Sequence, residues 1–364
     1  MKQSPQHVSG PYCAPRRKTR QISVGGVTLG GDAPVRVQSM TTTKTGDVPA
    51  TLQQIKELAT AGAEFVRVTV NDQEAADALP QLIYECNVPL VADIHYDHKL
   101  ALAALNAGIA KLRINPGNIG RKEYVREVAT VAKDRGVPIR IGVNKGSLHK
   151  RYAEMAELDP AGAMVQSAVD ELETLAAVGF EDVAVSLKSS DPKEVIEACR
   201  RFAKISDVPQ HLGVTEAGTL LAGTSISIAA MSVLLSEGIG DTVRISLADD
   251  PVHEVTAAYH MLQSLGLRDG YARVVACPTC GRVEVDVVAL ASRVEELARD
   301  LPADKVISVM GCIVNGPGEA KAADLGIAAG RTKVAIYRDG ELHRNIEKDE
   351  LEAVLVEEIE RLKK

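Results

Sequence analysis

Eight short runs rich in Val, Ile and Leu recur along the first 250 residues, at 35–40, 64–70, 89–94, 111–115, 138–144, 182–188, 211–215 and 241–247. Segments of helical period separate them, such as the face formed by Leu52, Ile55 and Leu58. Several of these segments stop at a glycine just before the next run: Gly62, Gly108, Gly136, Gly179 and Gly238. Eight alternating strand and helix signals predict a (β/α)8 barrel. The competing open doubly wound sheet lacks its usual Gly-x-Gly-x-x-Gly after the first run.

The barrel signal uses only part of the 364 residues. Expected boundaries are a basic tail over 1–31, the barrel over 32–267, a linker over 268–272 and a second α/β domain over 273–364. In the last, strands are expected at 273–276, 306–310, 325–328 and 333–337, with helices near 287–301 and at the C-terminus. Arg16-Arg17 in the tail is not followed by an apolar export segment, and no apolar run reaches the ~18 residues a membrane helix needs. A cytoplasmic protein with no membrane partner is expected. Lys plus Arg number 42 against 49 Asp plus Glu, a net charge of −7, which disfavours general nucleic-acid binding.

The strand signals turn polar at their C-terminal ends: Arg67-Val-Thr69, Asp93-Ile-His95, Arg113-Ile-Asn115, Arg140 to Asn144, Lys188, Glu216 and Arg244-Ile-Ser246. Residues i and i+2 of a strand share a face, so each pair sends two polar groups to one side. A charge inside a barrel is costly unless paired or aimed at a ligand, and active sites of such barrels lie at this end. Arg67, Arg113, Arg140, Lys188 and Arg244 outnumber Asp93 and Glu216. Guanidinium forks match phosphate oxygens, so a diphosphate-bearing small molecule is the expected ligand. Glu216 and His95 are the proton-transfer candidates. His211 reads as a strand cap.

Six cysteines are too few for a disulfide scaffold in a chain this long. Cys277-Pro-Thr-Cys280 and Cys312 follow expected strands and are the only clustered ones. Three thiolates fit either a zinc ion short of one ligand or an iron–sulfur cluster. Gly311, Gly316 and Gly318 suggest a backbone passing close to something bulky. Cys86 and Cys199 read as inert core thiols, and Cys13 has no visible partner.

Longer motifs add a family. Ala276-Cys-Pro-Thr-Cys-Gly-Arg282, Gly311-Cys-Ile-Val-Asn-Gly-Pro-Gly-Glu319, Val91-Ala-Asp-Ile-His95, Leu112-Arg-Ile-Asn-Pro-Gly-Asn-Ile-Gly120, Ile139-Arg-Ile-Gly-Val-Asn144 and His211-Leu-Gly-Val-Thr-Glu-Ala-Gly218 resemble the hydroxymethylbutenyl diphosphate synthases, in the short bacterial form. The resemblance implies a TIM barrel plus a ferredoxin- or sulfite-reductase-like domain with a 4Fe-4S cluster. Cys277, Cys280, Cys312 and Glu319 match the family's cluster ligands. Arg67, His95, Arg113, Asn115, Arg140, Asn144, Lys188, Arg244 and Ser246 match its substrate contacts. Glu216 matches the acid/base, Asp93 accompanies His95, and Asn315 lies at the cluster end. The implied reaction is the two-electron ring opening and dehydration of methylerythritol cyclodiphosphate, with flavodoxin or ferredoxin as donor and a head-to-tail homodimer as the assembly. Two rivals are a pterin-type barrel transferase with a structural zinc domain and a non-enzymatic zinc-bearing module fused to a barrel. The latter predicts basic and aromatic residues around the cysteines, whereas 273–364 is acidic overall.

Overall fold

A computed structural model describes residues 12–119 and 121–364, and these form two compact units, 1–268 and 269–364. The first begins with a hairpin of β1 (Ile22–Val24) and β2 (Val27–Leu29). Then come the barrel strands: β3 (Arg36–Met40), β4 (Phe65–Thr69), β5 (Leu90–Ile94), β6 (Lys111–Ile114), β7 (Ile139–Asn144), β8 (Val183–Lys188), β9 (His211–Leu212) and β10 (Thr242–Val243). All neighbours are parallel, in the order β8-β7-β6-β5-β4-β3-β10-β9. A parallel bridge between Val185 and Gln210 joins the two ends of that order and closes the barrel. The helical segments pack on the outside, and Gly108 and Gly136 end two of them in the left-handed conformation (φ 87° and 65°) that a side chain would strain.

β9 and β10 are shorter than the expected 211–215 and 241–247. Beyond Leu212 and Val243 the ladder loosens into single contacts, such as Arg244 N–H to Leu212 O at 3.0 Å. A Cβ on Gly213 would lie 2.7 Å from Lys188 Nζ, so this stretch serves as a wall for a side chain rather than as a full strand.

Of the expected basic tail, residues 1–11 lie outside the described residues. The rest packs on the barrel. Arg16 donates to the Gly240 carbonyl and to Asp241 (2.9 Å), and Arg17 donates to Val208 O at 2.9 Å. From the hairpin, Ile22, Val24 and Leu29 are buried against Phe65, Val91 and Ala184, residues at or near the start of β4, β5 and β8. The hairpin therefore plugs the N-terminal end of the barrel with apolar surface and leaves only the opposite mouth polar.

The second unit is a five-stranded sheet ordered β11 (Arg273–Ala276), β12 (Val306–Met310), β13 (Leu325–Ala329), β14 (Lys333–Arg338) and β15 (Glu341–Glu347). The first three strands are parallel and the last two pair antiparallel. Helices Val287–Leu297 and Leu351–Leu362 bury Val294, Leu355 and Ile359 against Ile307, Val309, Leu325 and Ile336. β15 goes beyond the expected strands. Its sequence is mostly polar because it is an edge strand, exposed at most positions. The Asp339-Gly340 turn, at φ 48° and 85°, is the hairpin signal that would have revealed it.

Candidate functional site

The inward-facing residues at the C-terminal ends of the barrel strands enclose a cavity of about 140 Å³. Arg67, Asp93, His95, Arg113, Arg140, Asn144, Lys188, Arg244 and Ser246 line it, as the i, i+2 pairing predicts, and Ser186 and Thr215 join them. Asn115 and Glu216 are not among its lining residues. Asn115 is buried and donates to Ser147 Oγ at 2.8 Å. Glu216 is exposed and takes φ 55°, a left-handed backbone rare for a residue with a side chain.

Asp93 sits among cations. Arg113 Nη1 donates to its Oδ1 at 2.8 Å, Arg67 Nε lies 3.6 Å from Oδ2, and His95 Nε2 lies 3.4 Å from Oδ2. Burial alone would raise the Asp93 carboxyl, but Arg67, the His95 hydrogen bond and Arg113 hold it well below the usual carboxylate range. His95 also approaches Arg113 Nη1 at 3.0 Å and Asn118 Nδ2 at 3.4 Å. A Cβ on Gly142 would lie 2.5 Å from Arg113 Nε, so glycine there makes room for the guanidinium.

Arg244 has a partner that sequence reasoning missed. Glu254, 2% exposed, receives Arg244 Nε and Nη2 at 3.1 Å each, Leu247 N–H at 3.0 Å and the Ser39 hydroxyl at 3.1 Å. It lies on the helix Pro251–Ser264, where a glutamate in the first turn reads as a solvated, dipole-matching residue.

Arg140 is the opposite case. It is 1% exposed, and Nε, Nη1 and Nη2 have no hydrogen-bond partner among the described residues. Burial, then Arg67 and Arg113, push it well below the ordinary arginine range. Burial and Arg140 do the same to Lys188. His211 is buried inside the barrel, its Nδ1 2.7 Å from Thr242 Oγ1, and burial with Arg140 and Lys188 lowers it. It therefore does more than cap a strand. Among the described residues, Arg67, Lys111, Arg113, Arg140, Lys188 and Arg244 are set against two carboxylates, Asp93 and Glu254. A buried cation without a counterion is costly, so this arrangement is built for an anionic ligand with several oxygens.

In the second unit, Cys277 follows β11 and Cys312 follows β12, at the carboxyl ends of neighbouring parallel strands. Gly311 N–H donates to Cys277 Sγ at 3.2 Å, and Glu284 N–H reaches back to Gly311 O at 2.8 Å, so the two cysteine loops fold on each other. Cys280, Asn315 and Glu319 are exposed, and Asn315 sits at the N-terminal end of the short helix Gly316–Ala320. Among the described residues, no three His, Cys, Asp or Glu side chains gather closely enough to hold a metal ion. Three free thiols on adjoining loops, one already accepting a backbone N–H, nonetheless match the donor chemistry of an iron–sulfur cluster, whose ligands sit on separate irons. The glycines have another cause. A Cβ on Gly311 would meet Val287 at 2.3 Å and one on Gly316 would meet Ala328 at 2.3 Å, while Gly318 faces open space. Gly311 and Gly316 are therefore required by packing within the chain itself.

The remaining thiols fit the sequence reading. Burial pushes Cys86 up to about 11 and Cys199 up to about 12. Cys13 approaches the Leu265 carbonyl at 3.5 Å.

Residues 19–259 match the family model described as the GcpE TIM-barrel domain, and residues 273–361 match the GcpE protein C-terminal domain. The chain belongs to the GcpE family. Relatives in Geobacillus thermodenitrificans and Bacillus subtilis named 4-hydroxy-3-methylbut-2-en-1-yl diphosphate synthase (flavodoxin) are both 48% identical, over 95% of this chain and 93% and 92% of theirs. Among solved structures, dihydropteroate synthase from Stenotrophomonas maltophilia aligns with TM-score 0.51 at 18% identity, over 68% of this chain and 97% of its own. That likeness is one of fold, confined to the barrel's share of the chain. The GcpE match in both units displaces the pterin-type and zinc-module readings. A GcpE chain is an iron–sulfur oxidoreductase of isoprenoid precursor biosynthesis, and the recognition, the barrel-plus-α/β architecture and the enzyme class expected from the motifs all stand.

Proposed function

We propose that this GcpE chain performs the reductive ring opening and dehydration of 2-C-methyl-D-erythritol 2,4-cyclodiphosphate to 4-hydroxy-3-methylbut-2-enyl diphosphate through the residues at its barrel mouth. The observation that supports the assignment of the site is the excess of buried cations there, with Arg140 lacking a hydrogen-bond partner among the described residues. Arg67, Arg113, Arg140, Lys188 and Arg244 hold the two phosphate groups, with Asn144 and Ser246 as neutral hydrogen-bonding partners. Arg113 and Arg244 are oriented by Asp93 and Glu254, so they meet the ligand in fixed geometry rather than paying to order themselves. His95, whose Nε2 lies beside Asp93 and Arg113, would serve as a further contact to a phosphate oxygen.

The ring opening consumes two electrons and loses one oxygen as water, so a proton must reach that oxygen. Glu216 is the proton carrier in this reading. Its exposure suits a group that collects a proton from solvent and turns inward over bound substrate. Cys277, Cys280, Cys312 and Glu319 would hold a 4Fe-4S cluster, which supplies single electrons when bound. Asn315, next to this ligand set, would contact the ligand's far end. Flavodoxin is the proposed electron donor, supported by the relatives' names, with ferredoxin as the alternative. A head-to-tail homodimer, with one subunit's cysteine unit serving its partner's barrel, is the proposed assembly. No helix among the described residues is long and apolar enough to cross a membrane, and the cytoplasm is the proposed location.

Anaerobic purification followed by iron, sulfide and visible-absorbance measurement tests the cluster. Near-stoichiometric iron and sulfide with a brown chromophore is expected; a colourless protein with one zinc and no sulfide would overturn the reading. Glu216→Gln should keep the chromophore and slow turnover roughly 100-fold, the usual worth of a positioned proton donor. Loss of the chromophore would remove Glu216 from the proton role. Gly142→Ala should push Arg113 off Asp93 and weaken cyclodiphosphate binding roughly 10- to 100-fold, the worth of one charge-assisted contact, with an unchanged circular dichroism spectrum.

A further inference from the structure

Beneath the cavity lies a cation that the mouth's chemistry does not use. Lys111 opens β6 and is 0% exposed. It is not among the cavity-lining residues, and its Nζ has no hydrogen-bond partner among the described residues. Nζ lies over the face of the Phe65 ring, 4.7 Å from its centroid. Phe65 belongs to the apolar plug formed with the N-terminal hairpin, so the side of Lys111 facing that plug is apolar.

The groups around it are mostly positive. Arg67 on β4, Arg113 on β6 and Arg140 on β7 are guanidinium groups, which keep their protons. Lys188 on β8 and His211 on β9 are buried bases, each lowered by burial and by neighbouring cations, with no acid among the causes acting on either. Of the two carboxylates, Asp93 on β5 is taken by Arg113 and Arg67, and Glu254 by Arg244 beside β10. Gln38 on β3 is neutral, and both of its side-chain polar atoms lack partners. A ring face offsets only part of the loss of water around an ammonium ion. Burial, Arg140 and Arg67 all act in the same direction on Lys111, away from the charged form.

We propose that Lys111 is a positioning residue of the barrel, uncharged while the mouth is empty and protonated when a diphosphate settles on Arg140 above it. The amine gains one proton from solvent and no bond is made or broken elsewhere. The arriving anion cancels the field of Arg140 and Arg67, and the new ammonium adds a second layer of positive charge beneath the phosphates. The inference rests on the reading of the mouth as a diphosphate site.

The test is calorimetric binding of the cyclodiphosphate to the full-length, cluster-loaded protein without reductant, in buffers of different ionisation enthalpy at pH 7.5. The ligand's two strongly acidic phosphate hydroxyls do not titrate there, so any proton taken up goes to the protein. Wild-type heats should vary with the buffer in the sense of proton uptake, and Lys111→Met should lower the uptake by up to about one proton. Binding with buffer-independent heats, or equal uptake in the variant, overturns the role of Lys111 while leaving the mouth's assignment intact. No binding in any buffer overturns that assignment and the coupling with it.

A ligand-free measurement checks the charge state separately. A lysine uncharged when folded and charged when unfolded makes the unfolded state bind more protons, so stability rises with pH up to the ordinary lysine value of 10.5. Lys111→Met should therefore melt higher than wild type at pH 7, with the gap closing as the pH approaches 10. Lys111→Arg, which cannot shed its proton, should melt lower than both. A gap between Met and wild type that does not change with pH would overturn the proposal.

Discussion

Arg140→Met should yield a protein that melts at a higher temperature than wild type yet binds the cyclodiphosphate several hundred-fold more weakly. Both halves follow from one observation. Arg140 is fully enclosed and all three of its side-chain nitrogens lack hydrogen-bond partners among the described residues. In the free barrel it contributes desolvation cost and repulsion from Arg67 and Arg113. Replacing a buried ion with an apolar residue of similar volume commonly stabilises by about 1–4 kcal/mol. In the proposed bound state the same guanidinium would give a charge-assisted contact to phosphate. Losing a buried contact of that kind costs about 2–5 kcal/mol, or roughly 30- to several-thousand-fold in affinity. A thermal melt and a binding isotherm on the same preparation check it. A destabilised Arg140→Met would mean that the residue braces the barrel instead of waiting for a ligand.

Glu254→Ala should behave in the reverse way. Glu254 makes two contacts to Arg244 and accepts Leu247 N–H and the Ser39 hydroxyl. Removing one partner of a buried pair leaves the other uncompensated and typically costs about 3–5 kcal/mol. Arg244 would then add to the existing cation excess. The variant should unfold at markedly lower denaturant concentration, and saturating cyclodiphosphate should restore part of the loss, because binding to the native state stabilises it by mass action. Glu254→Gln keeps the shape and one acceptor oxygen and should lie between the two. Equal midpoints for wild type and Glu254→Ala would show that Arg244 finds water as readily as carboxylate.

The two variants also mark how far the sequence could be read. Arg140 was legible because a charged residue in an apolar run is anomalous, and its i, i+2 alternation with Gly142 and Asn144 aimed it inward. Glu254 was not, because a glutamate in the first turn of a helix is what an exposed helix would have in any case. Lys111 looked like the polar start of a strand; only the hairpin over the barrel's lower end makes it a buried one. Gly142 and Gly213 carry no signal of their own inside the strand runs, and the structure gives them a cause, the girth of Arg113 and Lys188. Sequence periodicity overextended β9 and β10 because residues that point into a cavity keep alternating after the ladder has loosened. The cysteine spacing marked the loops correctly, while the glycines beside Cys312 answer to Val287 and Ala328.

The hairpin at the N-terminal end has a bearing on the order of folding. Its three buried residues, Ile22, Val24 and Leu29, meet Ala184 on a strand made much later in synthesis, a separation of 184 − 22 = 162 residues for Ile22. Contacts that distant are entropically slow to form, and a partial barrel is open at the end the hairpin seals. If the hairpin seals last, the end of the barrel below Lys111 stays open to water until the other core contacts exist, and the electrostatic cost of the buried charges falls late in assembly.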